Sequence, residues 1–234
     1  MCEINIKISC PHCQSTKVVK NGVKKTGRQN FLCRDCEKQF QSEYEYKAAS
    51  PEVRRLLKRS LIRGSGIRDC SEIYGVSPNS VLQVIEDEGK RATITPLHKT
   101  YECIELDEVY SFVGSKERKV WIFYAYARET GEILAVTMGR RTTQQVRYLM
   151  LKIKHLRIKV ESWRTDAFEG FKKVLEMHNH LIGKEYTKAI EGKNCCVRAR
   201  LARLQRRSTK FSKKLFYQWY LFLIFMTENN TSYI

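Results

Sequence analysis

The order of apolar and polar positions divides the chain into stretches of different period. After Ser50, the residues Val53, Leu56, Leu57 and Leu61 recur at the spacing that lines one face of a helix. Ser50 and Pro51 suit its N-cap and first turn, and Gly64 closes it after about twelve residues. Ile67 to Tyr74 reads as a second short helix and Gly75 as a turn. Ser77-Pro78 then opens a third helix carrying Val81, Leu82 and Ile85. This is the rhythm of a helix-turn-helix unit, whose last helix would present Asn79, Ser80 and Gln83 to base edges. The stretch from Arg91 to Tyr101, with Pro96 and alternating threonines, reads as a linker.

Beyond Tyr101 the period shortens. Cys103–Val113, Lys119–Arg128 and Glu132–Gly139 are rich in β-branched and aromatic residues and read as three strands, with a hairpin turn at Glu129-Thr130-Gly131-Glu132. Thr142–His155 then reads as helix, Ile158–Thr165 as strand, Ala167–Met177 as helix, His180–Tyr186 as strand and Lys188 to about Arg206 as a long helix. An antiparallel meander followed by alternating helices and strands predicts an α/β fold with a mixed, ribonuclease-H-like sheet. The apolar run Leu215–Met226 is interrupted by Gln218 and is shorter than the roughly 18–20 residues of a membrane span, so it is expected to be a terminal helix on a core.

The first fifty residues follow neither period. Cys10-Pro11-His12-Cys13 and Cys33-Arg34-Asp35-Cys36 are two C-x-x-C pairs with nineteen residues between them, and the intervening segment has Gly-bearing turns. A pair of such knuckles can close a tetrahedron of thiolates on Zn²⁺, which a segment this small needs in order to fold. Cys10, Cys13, Cys33 and Cys36 are the expected ligands, and a closed four-thiolate site leaves no position for substrate. The expected division is zinc ribbon 1–48, helix-turn-helix 49–92, linker 93–101 and catalytic unit 102–234.

Composition narrows the partner. Lys and Arg total 43 against 25 Asp and Glu, a formal charge of +18, which favours a polyanion. Between Gly192 and Lys214 there are nine Lys or Arg and no acid. No secretory leader pattern or span-length apolar run is present, and the paired cysteines suit a reducing compartment, so a soluble cytoplasmic protein is expected, nucleoid-associated if bacterial. No membrane and no small-molecule cofactor is expected.

Three acids stand out by position. Asp107 lies in mid-strand, facing away from Ile104 and Leu106; Asp166 follows the fourth strand at its carboxyl end; Glu191 falls in the first turn of the long helix. Glu105 shares the face of Asp107, Glu108 is its neighbour, and pattern alone does not choose among them. Carboxylates gathered at a sheet edge suit Mg²⁺ (or Mn²⁺), and a metal pair about 3.5–4 Å apart serves in-line displacement at phosphorus.

At this point the residues become recognisable. Leu106-Asp107-Glu108-Val109-Tyr110-Ser111-Phe112-Val113-Gly114, Trp121 to Tyr126, Thr165-Asp166, Tyr186 to Glu191, and Arg198 to Leu204 through Lys213 resemble catalytic segments of transposases of the insertion-sequence-one family. That family also opens with a zinc finger and a helix-turn-helix. The resemblance implies a DDE recombinase, with Asp107, Asp166 and Glu191 as metal ligands. It implies binding to double-stranded DNA at terminal inverted repeats, strand cleavage and strand transfer, and a homo-oligomer. Arg198, with Arg200 and Arg203, is expected to contact phosphate. The chain departs from the family pattern at Gly192-Lys193, where Arg-His precedes the asparagine, and at Cys195-Cys196. A glycine there is locally unfavourable for the helix, which keeps a non-catalytic DNA-binding repressor, or an inactive derivative, as the alternative.

Overall fold

The computed structural model describes residues 7–44, 46–204 and 211–231. At the N-terminal end, β1 (Val18–Val23), β2 (Gln29–Cys33) and β3 (Gln39–Gln41) form a three-stranded antiparallel sheet in that order. Its apolar interior is four residues, Cys10, Phe31, Cys33 and Phe40, with the two phenylalanine rings stacked 5.6 Å apart. A core that small does not hold a chain segment by burial alone.

Next come α1 (Pro51–Ile62), α2 (Ile67–Tyr74) and α3 (Pro78–Arg91). Their starts follow the sequence signals: Pro51 and Pro78 occupy first-turn positions, and Ser77 caps α3 by accepting from the Ser80 amide at 3.1 Å. Ser50 flanks α1 but makes no side-chain cap bond. Gly75 ends α2 at φ +60°, a left-handed conformation that glycine enters without strain. Leu57, Leu61, Cys70, Val81, Val84 and Ile85 fill the space between the helices.

The remaining strands are β4 (Thr100–Val113), β5 (Ser115–Ala127), β6 (Ile133–Gly139), β7 (Lys159–Thr165) and β8 (His180–Ile182). They build one sheet in the order β6-β5-β4-β7-β8, in which the first three are antiparallel and β4-β7-β8 parallel. This is the expected mixed, ribonuclease-H-like sheet. Helices α4 (Thr143–His155) and α5 (Glu169–Leu175) cover one face over Ile104, Leu106, Phe123 and Trp163. On the other face, α6 (Lys188–Arg200) and α7 (Leu215–Thr231) pack over Val109, Ile122 and Tyr124. Each large side chain so buried contributes about 1.5–3 kcal/mol of transfer free energy.

Several elements are shorter than the sequence periods suggest. The expected helix over Ala167–Met177 spans Glu169–Leu175, because Asp166 and Ala167 form a turn instead. The expected strand His180–Tyr186 stops at Ile182, before Gly183. The long last helix ends at Arg200, where Leu201 and Leu204 turn into the core; residues 205 and 206 of the expected span lie outside the described residues.

The terminal apolar run is α7, and its lack of a polar face has a physical cause. One side, through Tyr217, Tyr220 and Leu221, joins the core of α1–α3, while Phe222, Phe225 and Met226 join the sheet. A helix between two cores is apolar all round. Close approach to α3 is built in at Gly89, where an added Cβ would collide with the Tyr220 side chain. Buried polar bonds fix its register: Gln218 donates to Ser111 at 2.6 Å, and Asn230 both donates to and accepts from the Ile133 backbone. Among the described residues, no helix is long and apolar enough to cross a membrane.

Candidate functional site

Two clusters of metal-ligating side chains occur among the described residues. In the first, the sulfurs of Cys10, Cys13, Cys33 and Cys36 all lie within 4.8 Å of one another, with Cys10 to Cys36 and Cys13 to Cys33 at 3.6 Å. A tetrahedron with bonds of about 2.3 Å has edges of about 3.8 Å, so the four thiolates fit Zn²⁺. Backbone N–H groups of Cys36 and Asp35 draw the Cys33 thiol down, while burial and the neighbouring thiols push Cys13 and Cys36 up, as happens where several thiols share one site.

The second cluster joins Asp107, Glu108 and Asp166, whose carboxylate oxygens also approach within 4.8 Å. Strand register brings the two aspartates together. Parallel β4 and β7 pair Leu106 with Thr165, so the next residues, Asp107 and Asp166, come side by side where β7 ends. Past that point Asp166 folds back, its Oδ1 accepting from the Phe168 amide at 2.9 Å. Burial, together with the neighbouring carboxylates of Glu108 and Asp166, pushes Asp107 up to about 7. Burial also raises Glu108, and its Oε2 is buried without a hydrogen-bond partner. Crowded acids with an orphaned buried oxygen are what a hard cation would neutralise.

Glu105 resolves differently. It is fully buried on the α6 face and accepts from the Ile190 amide at 2.8 Å, supplying the end of α6 with the cap that Thr187 does not. The acid that shares the face of Asp107 is thus a helix cap.

Glu191 is not gathered into the acid cluster. With Ile190, Lys193 and Val197 buried, Glu191 is left exposed at the rim of α6, where its charge acts on Glu105. The α6 side chain that reaches Asp107 is Asn194, donating to Oδ2 at 2.6 Å while accepting from Tyr124 at 2.7 Å. Sequence reasoning missed Asn194, although its position three residues after Glu191 puts both on adjoining turns of one face. It also missed Arg141. Arg141 Nε donates to Glu108 at 2.6 Å, its guanidinium comes within 4.0 Å of Asp166, and it lies over the rings of Phe168 and Trp121 at 4.1 and 5.2 Å. The available signal was an Arg140-Arg141 pair between a strand end and a helix cap.

Gly192 does not break α6, and nothing lies within 4 Å of where its Cβ would be. Among the residues expected to meet DNA, Asn79 and Gln83 are exposed on α3, the latter bonded to Asp87 at 2.8 Å. Ser80 corrects the expectation: it is buried between Ser77 and Tyr46, 2.8 and 2.9 Å from their hydroxyls, because the Tyr46 side chain lies against it, while Pro78 and Asn79 beside it stay exposed. Arg203 is a second correction, drawn into the fold by a 2.7 Å bond to Ser212 and lowered to about 10 by burial. Arg198 donates to the Tyr110 carbonyl at 3.4 Å, and Arg200 is exposed. Arg206, Arg207 and Lys210 of the basic stretch lie outside the described residues.

Comparison with known proteins shows the family. Residues 100–220 match the family model described as IS1 transposase, and residues 4–37 match the InsA N-terminal domain, a zinc ribbon. The chain is 37% identical over 113 residues to insertion element IS1 protein InsB of Shigella flexneri, covering 48% of this chain and 85% of that protein. It is 36% identical over 122 residues to IS1 2 protein InsB of Escherichia coli K12, covering 52% and 72% respectively. Among solved structures, a simian T-cell lymphotropic virus intasome in complex with PP2A regulatory subunit B56 gamma is similar over 75% of this chain and 65% of that one, with TM-score 0.38 and 12% identity. A Drosophila P element transposase strand transfer complex is similar over 58% and 37%, with TM-score 0.37 and 10% identity. The chain therefore spans less than two thirds of either solved chain. With more than half of its length matched, including both aspartates of the acid cluster, the chain belongs to the IS1 transposase family and carries an InsA-type zinc ribbon in the same polypeptide.

Proposed function

We propose that the protein binds the terminal inverted repeats of its element and performs metal-dependent strand cleavage and strand transfer, with Asp107, Asp166 and Glu191 as the catalytic acids. The observation that carries this reading is the acid cluster on the β4–β7 edge, with its raised Asp107 and the unpartnered Glu108 Oε2. Asp107 and Asp166 would hold Mg²⁺ or Mn²⁺, with Glu191 approaching on α6. Such ions would activate the attacking oxygen and stabilise the leaving one. Asn194 fixes the Asp107 carboxylate in orientation, and Glu105 holds the helix that carries both Asn194 and Glu191.

In this reading residues 1–48 are the zinc ribbon, 49–92 the helix-turn-helix unit, 93–101 the linker and 102–234 the catalytic unit, with α7 reaching back onto α3. Helix α3 enters the major groove with Asn79 and Gln83, while Arg198 and Arg200 serve the backbone. A homo-oligomer brings two element ends together.

The alternative is a DNA-binding derivative without catalysis, and it draws on Glu191 lying outside the cluster. One experiment separates the two: incubation with a labelled element end and Mg²⁺, beside Asp107→Ala, Asp166→Ala and Glu191→Ala. Nicking and joining are expected from the native chain and from none of the variants, with zinc content and end binding retained. Equal nicking by native protein and Asp107→Ala would remove the catalytic assignment.

A further inference from the structure

Beside the acid cluster lies an open cleft of about 840 Å³. Three separate stretches supply its cations: Arg118 and Lys119 on β5, Arg140 and Arg141 beyond β6, and Lys213 and Lys214 before α7. Glu117 is the one acid among its lining residues. Of these cations, Arg141 alone has a carboxylate within 4.0 Å among the described residues. Two aromatic rings share the cleft, Trp121 and the 40%-exposed Phe216, each with a cation beside it: Arg141 at 5.2 Å and Lys214 at 5.9 Å.

The shape selects the form of nucleic acid. Sites of roughly 300–1,000 Å³ take ligands the size of drugs or cofactors, which is the scale of one or two nucleotides and not of a duplex. A cationic trough with aromatic faces is instead the arrangement that holds single strands, phosphates on the cations and bases stacked on the rings. Arg141 sets where the strand leads. It forms part of the cleft wall and bonds Glu108, so a backbone following the cations runs directly to Asp107 and Asp166.

We infer that this cleft seats one or two unpaired nucleotides of DNA flanking the bond at which the acids act, with Trp121 and Phe216 as stacking platforms. The identity of that strand rests on the transposase reading, but its binding requires neither metal nor cleavage. The test is therefore metal-free fluorescence anisotropy with the full zinc-loaded chain, comparing a blunt duplex with the same duplex bearing a short oligothymidylate overhang. The native protein is expected to prefer the overhang by about tenfold, as one stacked base provides. Phe216→Ala and Trp121→Ala should abolish the preference and leave blunt-duplex affinity unchanged, and Trp121→Phe should restore it. Lys213→Ala with Lys214→Ala, on an exposed segment, should lower the salt slope of overhang binding by about 0.7 per lysine.

An overhang preference that survives both aromatic substitutions overturns the inference. So does an equal loss on blunt and overhang duplexes, which would make this a duplex-tracking face. A preference that behaves as expected in a protein that never nicks DNA would uphold the cleft and defeat the proposed catalysis, so the two failures are distinguishable.

Discussion

The two metal-ligating clusters are built on opposite plans. The four cysteines lie in two tight pairs of a 27-residue segment, hang on a sheet with almost no core, and approach one another at 3.6 Å across the pairs. The acids come from β4 and from just past the end of β7, and depend on sheet register, on the α6 cap at Glu105 and on Arg141. In the first region the ion would make the fold; in the second the fold makes the place for the ion. The difference teaches that loss of metal should have opposite consequences in the two.

The largest effect is expected at the ribbon. Chelation of zinc, or Cys33→Ser, should remove on the order of 10 kcal/mol of folding free energy from this segment. Amide exchange should show residues 7–44 unprotected while β4–β7 remain protected. Asp107→Asn should do the reverse, lowering metal-dependent cleavage on the order of 10³-fold, the several kcal/mol that a metal supplies, with no loss of thermal stability. Denaturation followed by circular dichroism, run beside the cleavage assay, checks both halves.

Much of this contrast was legible in the chain itself. The cysteine spacing specified the ribbon because the ligand geometry is local, and Pro51, Gly75 and Ser77-Pro78 marked the helices because caps and turns act within a few residues. Asp107 and Asp166 were legible because strand alternation and strand ends are local features that the β4–β7 register then brings together. What joins elements through space left weaker traces. Arg141 and Asn194 meet the acids only once α4 and α6 pack on the sheet, and Glu105 becomes a helix cap through a contact 85 residues away. Ser80 read as an exposed base reader because nothing local reveals Tyr46 lying over it.

A third, intermediate effect concerns pH in metal-free protein. Asp107 is raised from 3.8 to about 7, chiefly by burial. Below 3.8 it is protonated in both the folded and the unfolded chain; between 3.8 and 7 the unfolded chain ionises first, so stability falls as pH rises through that window. Asp107→Asn should flatten this part of the melting-temperature profile, and saturating Mg²⁺ should do so for the native chain. A profile unchanged by either would break the account of the crowded acids. The smallest effect separates two neighbours on α3. Gln83→Ala should weaken binding of an element end by about 1–3 kcal/mol, while Ser80→Ala should leave end affinity near native and act on stability, as read by anisotropy and thermal melting.

The claim that the β4–β7 register prepares a cation site is tested most directly by calorimetric titration of Mn²⁺ into the zinc-loaded chain without DNA. Binding is expected in the native protein, lost in both Asp107→Asn and Asp166→Asn with zinc still bound. Undiminished Mn²⁺ binding in both variants would contradict it.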